Sequence, residues 1–500
     1  VALTTTSLAL GPVLLPVATA LGYLLLGWRP ATAWFGCAGA AGLLGAAVAL
    51  AVGVTRSGPY QALGAAVYVD AVTGFMLIVI GAVGLLATAA TPAFFRAELE
   101  AGRSTPRTAA RHSVLVQLFL AAMAAAVLAG NLGLLWIAVE ATTIVTAFLV
   151  GQRHTRTAVE AAWKYVVICS TGIALALLGV VLVNYAAAHG SGGPAGLDLV
   201  ALRAAAPGLD PGVTKFAVAL LLLGFGAKAG LAPLHAWLPD AHSQAPAPVS
   251  ALMSGVLLSV ALYAIMRVKV IADLAVGVGF TRSLLVAMAL TSLVLAASLL
   301  IGQRDYKRML AYSSIEHMAL ACFGVAIGGR PALAAVLLHI LGHGITKATL
   351  FIGAGRMVQV TGSSRIAEVR GLAAGQPALA GVVGIGVLAL LGFPPFSVFA
   401  SELGIARAGL GSELAWPTAV ALLLVLVIAG ALVMHTGRML LGAPPDGPGA
   451  ATGVAVRQAL PRSTATVLVG GLVVCAGLGV LAEPVAPLLQ AAATVLGGVR

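Results

Sequence analysis

Residues 213–246 read VTKFAVALLLLGFGAKAGLAPLHAWLPDAHSQAP. The first part is apolar enough to lie in hydrocarbon, yet Lys228 stands inside it and Pro233 and Pro239 follow. Proline removes a helical hydrogen bond and clashes with the preceding turn, so a helix through this stretch is discontinuous. In a bilayer such a break is tolerated only where protein buries it or where it lines a water-filled space. A lysine beside it is a functional group by default.

The rest of the chain has the same character. Of its 500 residues 60% are hydrophobic and only 9% are charged, with a mean hydropathy of +1.05. A water-soluble domain carries about a quarter charged residues. Continuous runs such as Ala421–Val433 exclude the alternation of a membrane barrel. The expected fold is therefore an all-α polytopic membrane protein.

Dividing the sequence at its polar and Pro/Gly clusters predicts about fourteen transmembrane helices. They fall near 3–27, 32–54, 68–91, 112–130, 132–151, 161–186, 213–244, 247–270, 281–301, 309–328, 331–357, 377–410, 416–441 and 463–482. The apolar tail 484–498 reads as a partial helix, and the first 25 residues lack the basic start of a cleavable signal peptide.

A second interrupted span, LLGFPPFSVFASEL at 390–403, carries Pro394, Pro395 and Glu402. It lies five spans after the first. A five-helix unit repeated once returns upside down, the arrangement of inverted-repeat transporters, whose sites lie at the repeat interface. The expected organisation is an N-terminal group 1–111, a first five-helix repeat 112–270, an inverted second repeat 271–441 and a C-terminal helix and tail 442–500, each repeat with one broken helix.

The net charge of +12 is scattered through short loops, where Lys and Arg set membrane orientation. The side carrying Arg103, Arg153, Lys307 and Arg370 is the richer and is expected to be cytoplasmic, which puts both termini outside. No face is basic enough for nucleic acid. Cys37, Cys169, Cys322 and Cys475 lie far apart and form no C-x-x-C, so no thiolate-bound redox centre and no cofactor is expected.

Glu140, Lys164, Lys228, Glu316, Lys347 and Glu402 fall within spans. Each costs roughly 2.5–3.5 kcal/mol at a helix centre, so they are expected to face the bundle interior. Internal salt bridges are the structural alternative, but desolvation offsets most of what such pairs contribute. Lys164, near a helix end, can also snorkel to the surface. His339, His343 and Lys347 recur every four residues and so share one stripe about 12 Å long. Histidine passes protons near neutral pH, and the stripe reads as a relay. A zinc protease helix would need H-E-x-x-H, and Ile340 fills the glutamate's place, so no metal is expected.

His235 lies two turns from Lys228 across the break, where freed carbonyls can hold water. Glu316 and His317 are neighbours pointing different ways, and Glu316 is taken as the inward one. Asp240 and His242 are placed at the membrane surface, with capping and proton uptake both open. GFGAKAG and GHGITKAT miss the phosphate-loop pattern. With no nucleotide motif and no redox site, the energy for any transport must come from a partner.

Five strings carry a family resemblance: PLHAWLPDAHSQAP (233–246), RDYKRMLAYSSIEHM (304–318), HILGHGITKATLF (339–351), GFPPFSVFASE (392–402) and WIAVEATTIVTA (136–147). They resemble the antiporter-like, proton-translocating membrane subunits of respiratory complex I, Mrp-type antiporters and membrane-bound hydrogenases. The F component of hydrogenase-4-type complexes is the most similar. The resemblance implies that Glu140 pairs with Lys228, that His343 corresponds to a path histidine of the eleventh span and that Glu402 ends the path. Many members carry a lysine or histidine in the eighth span, where this chain has Ser254 and Ser259; Lys347 is the candidate replacement. The implied partners are other membrane subunits, a soluble hydrogenase or quinone-reducing module, protons or sodium ions, and the bilayer of a bacterial inner membrane. A cation/proton antiporter subunit and a scaffold that no longer pumps are the alternatives.

Overall fold

The computed structural model describes residues 2–191, 196–443 and 460–497. Helices dominate: α1 (Ala2–Leu26), α2 (Phe35–Ser57), α3 (Ala71–Glu100), α4 (Pro106–Leu128), α5 (Leu132–Val150), α6 (Arg156–His189) and the short α7 (Leu199–Ala205). Next come α8 (Pro211–Lys228) and α9 (Trp237–Gln244), then α10 (Ala247–Leu252) and α11 (Leu258–Val276), joined by a π turn at Met253–Leu257. The chain continues through α12 (Val278–Ile301), α13 (Tyr306–Ile327), α14 (Gly329–Thr361), α15 (Leu372–Gly375), α16 (Pro377–Leu390), α17 (Ser397–Leu410), α18 (Ala415–Leu441), α19 (Arg462–Val480) and α20 (Ala486–Gly497).

Among the described residues thirteen helices are long and apolar enough to cross a membrane. Adding α16 with α17, each too short alone, gives the fourteen expected crossings. The chain is a multi-pass membrane protein. The differences are local. The third crossing runs to Glu100 and the sixth starts at Arg156, because helices continue past the hydrocarbon where capping or packing supports them. Thr155 caps α6 through the Ala158 amide. A two-stranded antiparallel hairpin, β1 (Tyr60–Ala62) with β2 (Val67–Val69), also departs from an all-helical reading.

Both breaks fall where the prolines place them. Residues 229–236 separate α8 from α9, and residues 391–396 separate α16 from α17. Each break holds a positive-φ glycine, Gly230 at +75° and Gly392 at +66°, ahead of a cis X–Pro bond. The first break is satisfied by its neighbours: the Ala232 amide donates to Ser292 Oγ at 2.8 Å and Trp237 Nε1 to the Ala227 carbonyl at 2.9 Å. Side chains of neighbouring helices thus replace the lost ladder bonds.

The helices form a centre and a rim. The central stretches of α14 and of Ala247–Val276 are wholly buried, and that of α13 is 94% buried, against 33% for α18. Small residues allow this closeness. A Cβ on Gly344 would lie 2.7 Å from the Gly255 carbonyl oxygen, and one on Gly342 would lie 2.4 Å from Ser397 Oγ. On another flank of α14, Thr346 Oγ1 lies 3.0 Å from Cys475 Sγ of α19, and Gly471 leaves room for Thr349. Helix α20 packs against both α14 and α3. Asp70, which caps α3, also takes a bidentate pair of bonds from buried Arg267 of α11 at 2.6 and 2.7 Å.

Candidate functional site

Lys228 is the last residue of α8 and is 0% exposed. The C-terminal end of a helix carries partial negative charge, which favours a cation there. Its Nζ donates to the Tyr165 hydroxyl at 3.1 Å and lies 5.2 Å from the centre of that ring. Tyr165 is itself buried and meets Trp237 edge-on at 4.9 Å. No ion pair joins Lys228 to Glu140, which corrects the direct pairing expected from the resemblance. Glu140 is half-buried and accepts from Thr143 Oγ1 at 2.8 Å. Thr143 and Thr146 stand beside the Tyr165 hydroxyl. Glu140 and Lys228 thus share a polar neighbourhood that includes Thr143 and Tyr165, which the sequence spacing could not show.

His235, in the first break, is half-buried, and its Nδ1 has no partner. Lys164 and Asp240 lie apart from the buried groups. The Lys164 side chain is 48% exposed and pairs with Glu160 at 2.8 Å and Asp240 at 3.1 Å. Asp240 also holds Arg308. The four charges tie α6, α9 and α13 together near the surface. His242, expected at that surface, is fully buried and stacks on Phe351 at 4.7 Å, with neither ring nitrogen hydrogen-bonded. The α9 turn rotates it inward, away from Asp240.

Lys347 is also 0% exposed. It donates to the Leu310 carbonyl at 2.7 Å and to Ser313 Oγ, both on α13. Neither Glu316 nor Glu402 forms an ion pair with it. Next to Ser313, Ser314 Oγ lies 2.8 Å from Ser254 Oγ. The eighth crossing thus contributes a hydroxyl to Ser314, the neighbour in sequence of the serine that holds Lys347, whereas Ser259 Oγ is buried without a partner.

His339 and His343 share the α14 stripe as the spacing predicts, their rings parallel within 3° and 6.2 Å apart. The group that joins them is His317, which sequence reasoning passed over in favour of Glu316. His317 Nδ1 lies 3.2 Å from His339 Nε2, and its ring is 5.0 Å from that of His343. The same Nδ1 is 3.8 Å from Glu402 Oε1. Glu316 is also buried, and its Oε2 has no partner, so both neighbours point into protein. His339 Nδ1 bonds Ser401 Oγ at 3.0 Å. The Glu402 carboxylate rests against Gly392 of the second break, where a Cβ would lie 2.3 Å from Oε2. His339 and Glu402 could have been linked to His317 only by the folding of α13, α14 and α17.

Residues 129–432 match the family described as NADH:quinone oxidoreductase/Mrp antiporter, TM. A hydrogenase-4 component F homolog of Methylacidiphilum infernorum is 37% identical over 348 residues, 69% of this chain and 73% of that protein. NADH-quinone oxidoreductase subunit N of Desulforudis audaxviator is 32% identical over 381 residues, 73% of each chain. Among solved structures, a chain of the archaeal membrane-bound sulfane sulfur reductase superposes with a TM-score of 0.85 at 25% identity, covering 97% of this chain and 96% of its own. By the extent of the family match and by these relatives, the chain belongs to the NADH:quinone oxidoreductase/Mrp antiporter family as an antiporter-like membrane subunit.

Proposed function

We propose that this chain moves protons across the membrane as one subunit of a redox-driven complex of the hydrogenase-4 or complex I kind. The observation that carries the reading is the cluster of His317, His339, His343 and Glu402 beside Lys347, enclosed in an apolar bundle. Buried ionisable groups of this number are too costly to keep for packing alone. Tyr165 and Lys228 form one station and Lys347 with Ser313 a second. The imidazoles and Glu402 form the outlet. His242 and Ser254 are the groups available between the first two stations.

The Tyr165–Lys228 contact is the proposed switch. A charge or shape change delivered by a neighbouring subunit would move Lys228 relative to Glu140 and Tyr165. Burial and a nearby carboxylate act on a lysine's proton with opposite signs, so motion of the pair releases or recaptures it. The two broken helices support reading 112–270 and 271–441 as inverted halves, with one break each. In the proposed setting both termini face outward from a bacterial inner membrane, other membrane subunits flank the chain, and a soluble redox module supplies the energy. Transported sodium would need a shell of oxygen ligands, and nitrogen groups dominate here, which favours protons over the antiporter alternative.

Reconstituting the complex in vesicles and following acidification with a pH dye tests the proposal. Lys228→Ala should assemble, pass electrons and acidify nothing. Normal acidification by that variant would overturn it.

A further inference from the structure

The His317, His339 and Glu402 side chains come from three helices, and one donor atom from each lies within 4.8 Å of the others. Two of the separations are 3.2 Å, His317 Nδ1 to His339 Nε2, and 3.8 Å, His317 Nδ1 to Glu402 Oε1. A tetrahedral zinc ion with nitrogen and oxygen ligands at about 2.0–2.2 Å spaces its donors about 3.3–3.6 Å apart. Two sides of the triangle are thus close to that spacing, and the third, within 4.8 Å, closes to it by a small movement of the Glu402 carboxylate.

Two further observations point to a ligand. His343, fully buried with its ring 5.0 Å from that of His317, has both nitrogens without hydrogen-bond partners. Buried polar atoms are paired in most proteins, and an unpaired set invites an explanation. The far nitrogen of His339 is held by Ser401 Oγ at 3.0 Å, the outer-shell support that metal-bound histidines characteristically have. The Glu402 side chain is 18% exposed, beside exposed Phe393, Pro394 and Pro395 of the break.

We propose that His317, His339 and Glu402 form a binding site for a zinc-class divalent cation, with His343 or a water molecule completing four-coordination. The sequence could only weigh His339 against His343 on one helix, and that pair is not the core of the site. Binding stands independently of the proton path. Its consequence rests on that reading: a cation occupying the ring nitrogens of His317 and His339 stops them from carrying a proton, so zinc acts as a brake.

The test uses the purified native complex in detergent, titrated with zinc ions against a chromophoric chelator and examined at the zinc X-ray absorption edge. The expected result is a shell of at least two imidazoles and one carboxylate at about 2.0–2.2 Å. Affinity should fall at least about tenfold in His317→Gln and in His339→Gln, and measurably in Ser401→Ala, an outer-shell change. Equal affinity and stoichiometry in wild type and variants would overturn the proposal. So would a wild-type spectrum without imidazole, which decides the matter even if the variants fail to assemble. Vesicles then separate the two readings. Zinc inhibition reversed by EDTA supports the brake. A bound zinc with the expected shell and undiminished pumping keeps the site and removes the path through it.

Discussion

The two broken helices share a backbone plan and differ in what they hold. At the first, one lysine, Lys228, sits against Tyr165, whose ring Trp237 meets edge-on. At the second, one carboxylate, Glu402, faces a group of three imidazoles. The helix ends match these charges, since Lys228 closes α8 and Glu402 lies in the second turn of α17. At the first break one lysine, Lys228, is fully buried while His235 is half-buried, an arrangement suited to a switch with two positions. The second has several buried titratable groups, suited to handing a proton on. Redundancy is thus the property that divides them, and substitutions can measure it.

The largest effect is expected at the first break. Lys228→Ala should lower proton translocation by at least about a hundredfold, the scale at which a positioned proton-transfer group matters, measured as dye-reported acidification per electron passed. Lys347→Met should match it, because Lys347 is the group that Ser313 and the Leu310 carbonyl hold in place. A lysine introduced by Ser254→Lys in that background should restore part of the rate, whereas Ser259→Lys should not, since Ser254 and not Ser259 reaches the α13 hydroxyls. Restoration from position 259 alone would contradict this geometry.

A loss of about tenfold is expected for Tyr165→Phe, which keeps the ring against Trp237 and removes the hydroxyl between Thr143 and Lys228. Adding Glu140→Gln to Tyr165→Phe should cost little more, because both act on one connection. Multiplying defects would show that Glu140 reaches Lys228 by another route. At the second break, His343→Gln should reduce the rate only a few-fold, since His317 and His339 remain in contact. A loss as deep as that of Lys228→Ala would erase the distinction between the breaks. Smallest of all, Lys164→Ala should leave acidification unchanged, and a strong defect would bring the surface charge group back into the path.

The architecture was largely legible in the sequence because hydropathy and proline act locally. Both breaks and the stripe of His339, His343 and Lys347 follow from periodicity and spacing, whereas the two serines of the eighth crossing stood out only against the family resemblance, which did not tell Ser254 from Ser259. What stayed hidden depends on which helices meet. Tyr165 looked like an ordinary residue of WKYVVICSTG, and only the packing of α6 on α8 sets its hydroxyl against Lys228. His317 and Glu316 are adjacent, so their directions turn on the angle at which α13 meets α14 and α17. His242 was assigned to the surface from the polarity of its neighbours, yet the turn after Pro239 aims it at Phe351.

The covering of α14 by α19 and α20 also has a consequence for synthesis. The ribosome completes α14 well before α19, whose Cys475 and Gly471 lie against Thr346 and Thr349. During that interval the threonine flank of α14 lacks the cover that α19 later provides. Hydrocarbon is a poor solvent for hydroxyls, so the newly inserted helix has reason to linger in a protein-lined site until its cover arrives. A chain stalled before Arg462 should then remain crosslinkable through α14 to the insertion machinery, and release should follow only when α19 is in the bilayer.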